Sequence, residues 1–360
     1  MESSQIKNWV VEQQPALDEP EVYIPDTNQV LTDQDWREDA TKCCLITPVP
    51  FSSAIANMGV AILYDIINND MSSDYLCTRA YFPESKMYRR MKKNDIPFFD
   101  KECFHQMLDY DVIGFASFYS LQYLGLPDIL QLSNIPYETD KRGDDFSYPL
   151  VILGGCQSFN AEPVAPLLDA IIVGEGENSL PAFLKLLREY KQQGGTSRKE
   201  FLAKAAKEIQ GVYVPSFLEY TYYPSDHPTK PNQIKEFHLT EYAEQHGVPL
   251  ITTKSYNDFK NQKILTKTFV GNSDGAEMSV GSVFIATSCG SRCSFCQGSA
   301  ISQPYRERPL DKIKQATIDL IKSTGTAEIT PYSFNLSDFS YVNTYIKYLM
   351  KDLGVKVSMS

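Results

Sequence analysis

Three cysteines lie close together in the segment Cys289-Gly-Ser-Arg-Cys-Ser-Phe-Cys296. The C-x3-C-x2-C spacing puts three thiols on one short loop, directly after the apolar run at residues 281–288. Structural zinc sites normally close with four ligands, so three thiols are one short. Three thiolates suffice to hold a four-iron, four-sulfur cluster with one iron left open, and short spacings let one loop cover several corners. We therefore predict that Cys289, Cys293 and Cys296 are metal ligands.

Two other interpretations of the thiols stay open. One is a zinc-stabilised binding module in which Cys293 and Cys296 form half of a site, but no second C-x2-C or histidine pair follows closely. The other is three unligated thiols, which a Gly- and Ser-flanked loop would leave open to oxidation. A disulfide is disfavoured because Cys293 and Cys296 are too close for a relaxed bridge.

The cysteine spacing resembles that of the radical S-adenosylmethionine (SAM) superfamily. The stretch that follows, residues 296–309, is similar to a subgroup that carries a cobalamin-binding-like domain ahead of the radical SAM barrel. The resemblance covers most of residues 40–360. Further segments agree with that subgroup in the same order, namely residues 59–64, 110–115, 154–155, 160–163, 174–177 and 211–215.

The resemblance implies a reaction class. In this superfamily the open iron chelates the amino and carboxylate groups of SAM, and one electron from the cluster yields methionine and a 5′-deoxyadenosyl radical. Phe295 would give the cluster and adenine an apolar neighbour. Relatives with this domain order include methyltransferases and methylthiotransferases, so methyl or methylthio transfer is expected. The resemblance leaves open an RNA, peptide or small-molecule substrate, and implies an electron donor such as a flavodoxin or ferredoxin.

Short apolar runs alternate with helix-like segments through residues 41–193, which predicts an α/β fold with a doubly wound parallel sheet. We predict a polar N-terminal arm at 1–40, a cobalamin-binding-like domain at 41–193, a connector at 194–280 and the first part of the radical SAM barrel at 281–360. The arm is expected to be extended, with partial packing as the alternative. The predicted strands are residues 42–48, 75–82, 111–117, 149–155, 170–174, 211–223, 281–288, 327–332 and 355–359.

Ligands of open α/β sheets bind outside the carboxyl ends of the strands. Two glycine-rich segments fall there, Gly154-Gly155 and Gly174-Glu175-Gly176, and we predict them as a cobalamin-like site. Tight turns would explain the same glycines. The loop after the first strand, residues 48–59, contains no histidine, so the usual lower imidazole ligand is missing and cobalamin remains a candidate rather than a requirement.

The residues after the second barrel strand occupy the place where the superfamily usually contacts SAM. The usual Gly-Gly-Glu is absent. Ser333 and Asn335 are candidates to accept from the methionine ammonium, and Asp338 to hold the ribose. The alternative is a helix N-cap made by Ser337 or Asp338.

Residues 281–360 are too few for a barrel, which takes ~200 residues or more. The sequence thus predicts an incomplete barrel. An alternative function follows, an accessory cluster-binding protein that needs a partner chain for catalysis.

Bulk properties narrow the setting. No apolar run reaches the ~20 residues that span a membrane, and no export signal is visible at the N-terminus. Eight cysteines fit a reducing compartment, so a cytoplasmic location is expected. The formal net charge of −11 argues against broad nucleic-acid binding but leaves room for RNA reached by a small basic patch.

Overall fold

The computed structural model describes residues 1–18, 20–23, 29–54, 57–266 and 281–359. Parts of the predicted arm, connector and post-strand loop lie outside the described residues, namely 19, 24–28, 55–56 and 267–280. The strands of the described part are, in chain order, β1 (Thr41–Thr47), β2 (Tyr75–Tyr81), β3 (Val112–Ala116), β4 (Leu150–Gly154), β5 (Ala170–Ile172), β6 (Val212–Tyr213), β7 (Leu218–Tyr222), β8 (Ile234–Leu239), β9 (Gly281–Phe284), β10 (Ala286–Thr287), β11 (Arg306–Glu307), β12 (Glu328–Tyr332) and β13 (Lys356–Val357).

Helices connect most of these strands. They are α1 (Ser3–Gln13), α2 (Phe51–Ala54), α3 (Met58–Asp65), α4 (Ser85–Lys93), α5 (Gly125–Leu132), α6 (Gly176–Gln192), α7 (Arg198–Glu208), α8 (Glu241–Gln245), α9 (Gln297–Ile301), α10 (Leu310–Thr324) and α11 (Val342–Lys347). Wider helical turns, Ile66–Asp70 and Tyr348–Asp352, extend α3 and α11.

The first sheet has the strand order β2-β1-β3-β4-β5-β6. Its first five strands are parallel, and β6 runs antiparallel to β5. Every residue of β1 and β2 is buried, because helices cover both faces of the sheet. One face packs against α3, α6 and α7 and the other against α1, α4 and α5. The predicted doubly wound α/β architecture is confirmed.

The expectation of an extended N-terminal arm is wrong for α1. Ile6 and Val10 lie one helical turn apart and are fully buried in the core on one face of the first sheet. This spacing puts both side chains on one side of a helix whose other positions are mostly polar. The polar composition of the segment therefore concealed an amphipathic helix.

Residues after 194 also contribute to the first core. Phe201 in α7 and Val212 in β6 belong to the same cluster of buried side chains as Leu180 and Phe183 in α6. The antiparallel hairpin of β7 and β8 follows, with Tyr220 opposite Phe237. The division of the chain into domains stays a prediction, but the packing extends the first layer to about β6.

A second, smaller sheet has the order β13-β12-β9, and all three strands are parallel. Helix α10 runs between β9 and β12, and α11 runs between β12 and β13. Ile313, Leu320, Ile329 and Tyr345 are buried together between this sheet and the two helices. The repeated strand-helix pattern with a parallel sheet is that of the opening of a (β/α) barrel. None of the helices in the described part is both long and apolar enough to cross a membrane.

Candidate functional site

The cysteine loop begins and ends at two strands that pair with each other. Strand β10 ends at Thr287, β11 begins at Arg306, and these two residues are opposite each other in an antiparallel pair. Residues 288–305 therefore leave the carboxyl end of the second sheet and return to the same point. Chemistry in barrels of this kind is located at that end of the strands.

Backbone amides of the loop point at two of its sulfur atoms. Sγ of Cys296 accepts from the Ser299 amide at 3.4 Å, where Cys296 caps the start of α9. This hydrogen bond is the main cause that lowers the pKa of the Cys296 thiol. Sγ of Cys289 accepts from the Ser291 amide at 3.4 Å. Donors of this kind favour the thiolate form, which is the form that binds metals.

All three loop cysteines are free thiols; Cys293 is exposed, and Cys289 and Cys296 are half-buried. The described residues contain no group of three or more His, Cys, Asp or Glu side chains already gathered for a metal ion. The three sulfurs thus belong to one loop of suitable chemistry without forming a closed chelate. The donor set fits an iron-sulfur cluster, and its assignment as the ligand set stays a prediction.

Two buried hydroxyls, those of Ser288 and Ser333, lie at the strand ends beside this loop. Strands β9 and β12 are neighbours, and the pairing continues where the Ile285 amide donates to the Tyr332 carbonyl at 3.0 Å. Ser288 and Ser333 come a few residues later. Both are buried, and within the described residues neither Oγ atom has a hydrogen-bond partner. An unpaired buried hydroxyl is unfavourable, so a polar ligand at these strand ends would stabilise both.

The other predicted SAM residues have different surroundings. Phe295 is 89% exposed. Asn335 caps the turn Leu336–Asp338 by accepting from the Ser337 amide at 3.3 Å. The alternative that Ser337 or Asp338 is an N-cap is wrong, because the next helix, α11, begins after Tyr341 without a side-chain cap. Asp338 binds the cysteine loop, since its Oδ2 atom accepts from the Gly290 amide at 3.0 Å.

The carboxyl ends of the first sheet contain open space at Gly154. A Cβ atom added there would have no heavy atom within 4 Å, whereas one added to Gly155 (φ +93°) would lie 2.5 Å from the Ser117 carbonyl oxygen. Thr47 at the end of β1 and Ser158 after β4 are also buried with no partner for their hydroxyls among the described residues. Sequence reasoning missed both; their only signal is a small polar residue at the end of an apolar run.

The second glycine segment contacts protein rather than open space. Gly174 (φ +107°) lies so close to Ser255 that an added Cβ would be 2.6 Å from its carbonyl oxygen. Glu175 forms an ion pair with Arg306 at the base of the cysteine loop. Gly176 begins α6, with the Leu63 side chain 3.4 Å from where its Cβ would be. As a cobalamin-like site this segment stays a prediction; in the described structure its contacts join the two sheets.

The strand ends of the two sheets lie side by side. Helix α9, directly after Cys296, packs against the helical turn Cys156–Asn160 that follows β4. Lys254 lies over the Phe159 ring at 5.7 Å, and its Nζ donates to the carbonyls of Ile301 and Gln303 at 2.5 and 2.6 Å. The cysteine loop therefore faces the end of β4, where Gly154 leaves room.

Comparison with known proteins gives a match for the first sheet and the helices around it. A family model described as "Radical SAM proteins, N-terminal" matches residues 59–215. Residues 59–215 are therefore similar to the N-terminal part of radical SAM proteins. The recognition made from the cysteine spacing and the motifs ahead of it is thereby confirmed.

The fold is similar to that of two solved structures of the radical SAM methyltransferase TsrM from Kitasatospora setae. One contains a tryptophan substrate and a SAM analogue, with 11% identity, a TM-score of 0.46 and coverage of 87% of this chain and 51% of that chain. The other contains cobalamin and a [4Fe-4S] cluster, with 12% identity, a TM-score of 0.45 and coverage of 87% and 52%. The chain thus spans about half the length of these structures. No curated protein sequence matches it significantly.

Proposed function

We propose that this chain is a radical SAM protein whose [4Fe-4S] cluster is held by Cys289, Cys293 and Cys296. The observation that carries the proposal is the position of the three-thiol loop at the carboxyl end of a parallel sheet, beside two buried hydroxyls that have no partner in the described part of the chain. When bound, the cluster supplies the electron that cleaves SAM to methionine and a 5′-deoxyadenosyl radical. The reaction class is hydrogen abstraction from an unactivated carbon.

The residues of the chain would bind and orient SAM. Ser288 and Ser333 would offer their hydroxyls to its polar methionine end, and Asp338 would hold the Gly290 backbone that shapes the first turn of the loop. Exposed Phe295 would cover the adenine or the cluster with apolar surface. These roles use hydrogen bonding, positioning and exclusion of water, which are the tasks left to the protein when a cofactor provides the chemistry.

We propose methyl or methylthio transfer as the finer reaction, with cobalamin as the candidate second cofactor. Open space at Gly154 and the buried hydroxyls of Thr47 and Ser158 support a ligand at the end of the first sheet. The loops after β1 and β4 contain no histidine, so cobalamin would bind there without a protein imidazole. The proposal also includes RNA, a peptide or a small molecule as the substrate and a flavodoxin or ferredoxin as the electron donor. The proposed location is the cytoplasm.

The experiment is anaerobic reconstitution with iron and sulfide, followed by reduction and an assay for 5′-deoxyadenosine. The chain should take up about four irons and four sulfides per monomer. Cys289→Ala, Cys293→Ala and Cys296→Ala should each lose the cluster. The matched control is Cys103→Ser, because this buried thiol lies outside the loop and donates to the Thr32 carbonyl at 3.3 Å, a bond that serine keeps.

Each other result would assign a different function. Zinc without iron or sulfide in the anaerobic protein would favour the zinc-stabilised module and overturn the proposal. A cluster with no 5′-deoxyadenosine would favour the accessory protein, and restoration of cleavage by a second chain would establish it. Equal cluster content in wild type and all three loop variants would show that the cysteines are not the ligands.

A further inference from the structure

Arg306 connects the base of the cysteine loop to the first sheet. It lies opposite Thr287 in the β10–β11 pair, and Thr287 is two residues before Cys289. Its guanidinium group makes a two-point ion pair with Glu175: Nη2 contacts Oε1, and Nη1 donates to Oε2 at 3.1 Å. Nη1 also donates to the Asn257 carbonyl at 3.1 Å. Two-point pairing of arginine with a carboxylate is directional as well as strong.

Glu175 is itself held firmly. The Asn257 amide donates to its Oε2 at 2.7 Å, and its own amide donates to the Ser255 carbonyl at 3.2 Å. It precedes the first residue of α6, a helix of 17 residues packed into the first core. The Glu175 and Arg306 side chains are only 21% and 17% exposed, so water screens their attraction less than in a surface pair.

A second connection runs inside the loop. Lys254 Nζ donates to the carbonyls of Ile301 and Gln303, and the Gln303 side-chain amide donates to the Cys289 carbonyl at 2.9 Å. Desolvation by burial lowers the pKa of Lys254. Contacts therefore lead from the first sheet, through residues 254–257, to the backbone of the first cysteine.

We infer that Glu175 and Arg306 are positioning residues, and that this interdomain clamp fixes the cysteine loop against the strand ends of the first sheet. The inference rests on the proposed function for its consequence, because the clamp sets how the cluster loop is oriented toward a ligand at Gly154. Neither residue contacts substrate or cluster in this role. The glycine-rich segment 174–177 thereby gains a mechanical task distinct from cofactor binding.

The test is a charge exchange. Glu175→Arg and Arg306→Glu each place two like charges at the contact, whereas the double exchange restores an opposite pair. Arg306→Lys keeps the charge but loses the two-point geometry. The matched control is the Arg188–Asp74 pair, 2.9 Å apart and away from the cysteine loop, with Asp74 51% exposed, exchanged in the same three combinations.

The first measurement is hydrogen–deuterium exchange of peptides covering residues 288–305, in protein without cofactors. Each single charge-exchange variant should speed hydrogen–deuterium exchange in these peptides by about tenfold or more. The double variant should restore most of the protection. Circular dichroism and thermal unfolding check that the variants fold, and Arg306→Lys supplies a milder variant with an intermediate effect. Unchanged protection in all folded Glu175 and Arg306 variants would overturn the inference.

The second measurement separates the clamp from the proposed function. In reconstituted protein the single exchanges should keep the cluster but lower the rate of 5′-deoxyadenosine formation by about tenfold, with recovery in the double exchange. If the wild type binds no cluster, the proposed function fails. The hydrogen–deuterium exchange data would still show whether the Glu175–Arg306 pair fixes the loop. If wild type is active and the single exchanges are equally active, the clamp has no positioning role.

Discussion

The Asp338 carboxylate lies against the first cysteine of the loop, with its Oδ2 atom 3.5 Å from Sγ of Cys289. The same oxygen accepts from the Gly290 amide. Asp338→Asn keeps an acceptor of similar shape and removes one negative charge. Reduction of a bound cluster adds negative charge, so this variant should raise the reduction potential by on the order of 50–100 mV.

Potentiometric titration of the reconstituted cluster measures this effect. Asp352→Asn is the control, because it removes an exposed charge from the turn after α11 without touching the loop. An unchanged or lower potential in Asp338→Asn would contradict the prediction.

Replacing Ser333 should affect protein stability and SAM binding in different ways. Ser333→Ala removes a buried Oγ that has no partner among the described residues, so the free energy of unfolding should stay the same or rise slightly. Affinity for SAM should fall about fivefold if the hydroxyl bonds the ligand. Calorimetric titration of the reconstituted protein measures the affinity. Ser133→Ala is the control, since that buried hydroxyl donates to the Ile129 carbonyl at 2.6 Å and its loss should lower stability alone.

The core of the fold could be predicted from the sequence because its strands are continuous apolar runs. Strands β1, β3 and β4 begin and end within one or two residues of the predicted segments. Their side chains are buried on both faces, so most positions are apolar and the pattern is clear in the sequence. Helix α1 was missed because only two of its side chains enter the core, and the surrounding polar residues dominate the composition.

The candidate site was predictable in part. The cysteine spacing is local, so all three thiols and their place after a strand could be read directly. The role of Glu175 could not be read, because its partner Arg306 is 131 positions away and the pairing depends on how the sheets meet. The hydroxyls of Ser288, Thr47 and Ser158 were missed for a related reason. What distinguishes them is burial without a partner, which only the packed structure reveals.

Gly154 and Gly155 are adjacent but should respond oppositely to alanine. Gly155→Ala forces a side chain into a left-handed conformation against the Ser117 carbonyl, and should lower the free energy of unfolding by about 2 kcal/mol or more. Gly154→Ala meets open space and should change stability by less than about 0.5 kcal/mol. Urea unfolding of the two variants tests the pair. Equal stability would show that the close approach at Gly155 is absent in solution.

Helix α1 provides a matched pair for testing the packed N-terminus. Val10 is fully buried, whereas neighbouring Val11 is 55% exposed. Val10→Ala should destabilise the first domain by about 2 kcal/mol through lost burial and a residual cavity. Val11→Ala should change stability by less than about 0.5 kcal/mol. Thermal and urea unfolding compare the two, and similar effects for both would mean that α1 does not pack as described.

Asp100 should make the free energy of unfolding depend on pH in an unusual direction. The side chain is fully buried, and burial, reinforced by nearby Glu102, raises the pKa of Asp100 from 3.8 to about 6. Hydrogen bonds from the Cys103 and His105 amides oppose the shift without cancelling it. The folded state therefore holds this proton more tightly than the unfolded chain does.

The sign of the effect follows from proton linkage. Between pH 3.8 and about 6 the folded state binds more protons at Asp100 than the unfolded state, so this group's contribution to stability falls as pH rises through that window. The total change is at most about 3 kcal/mol. Asp100→Asn cannot titrate and should lose this slope, although the loss of one acceptor oxygen lowers its stability at every pH. Urea unfolding at half-unit steps from pH 4 to 7 gives the slopes, with exposed Asp95→Asn as the control that should follow wild type. Parallel curves for wild type and Asp100→Asn would show that Asp100 does not titrate in this range.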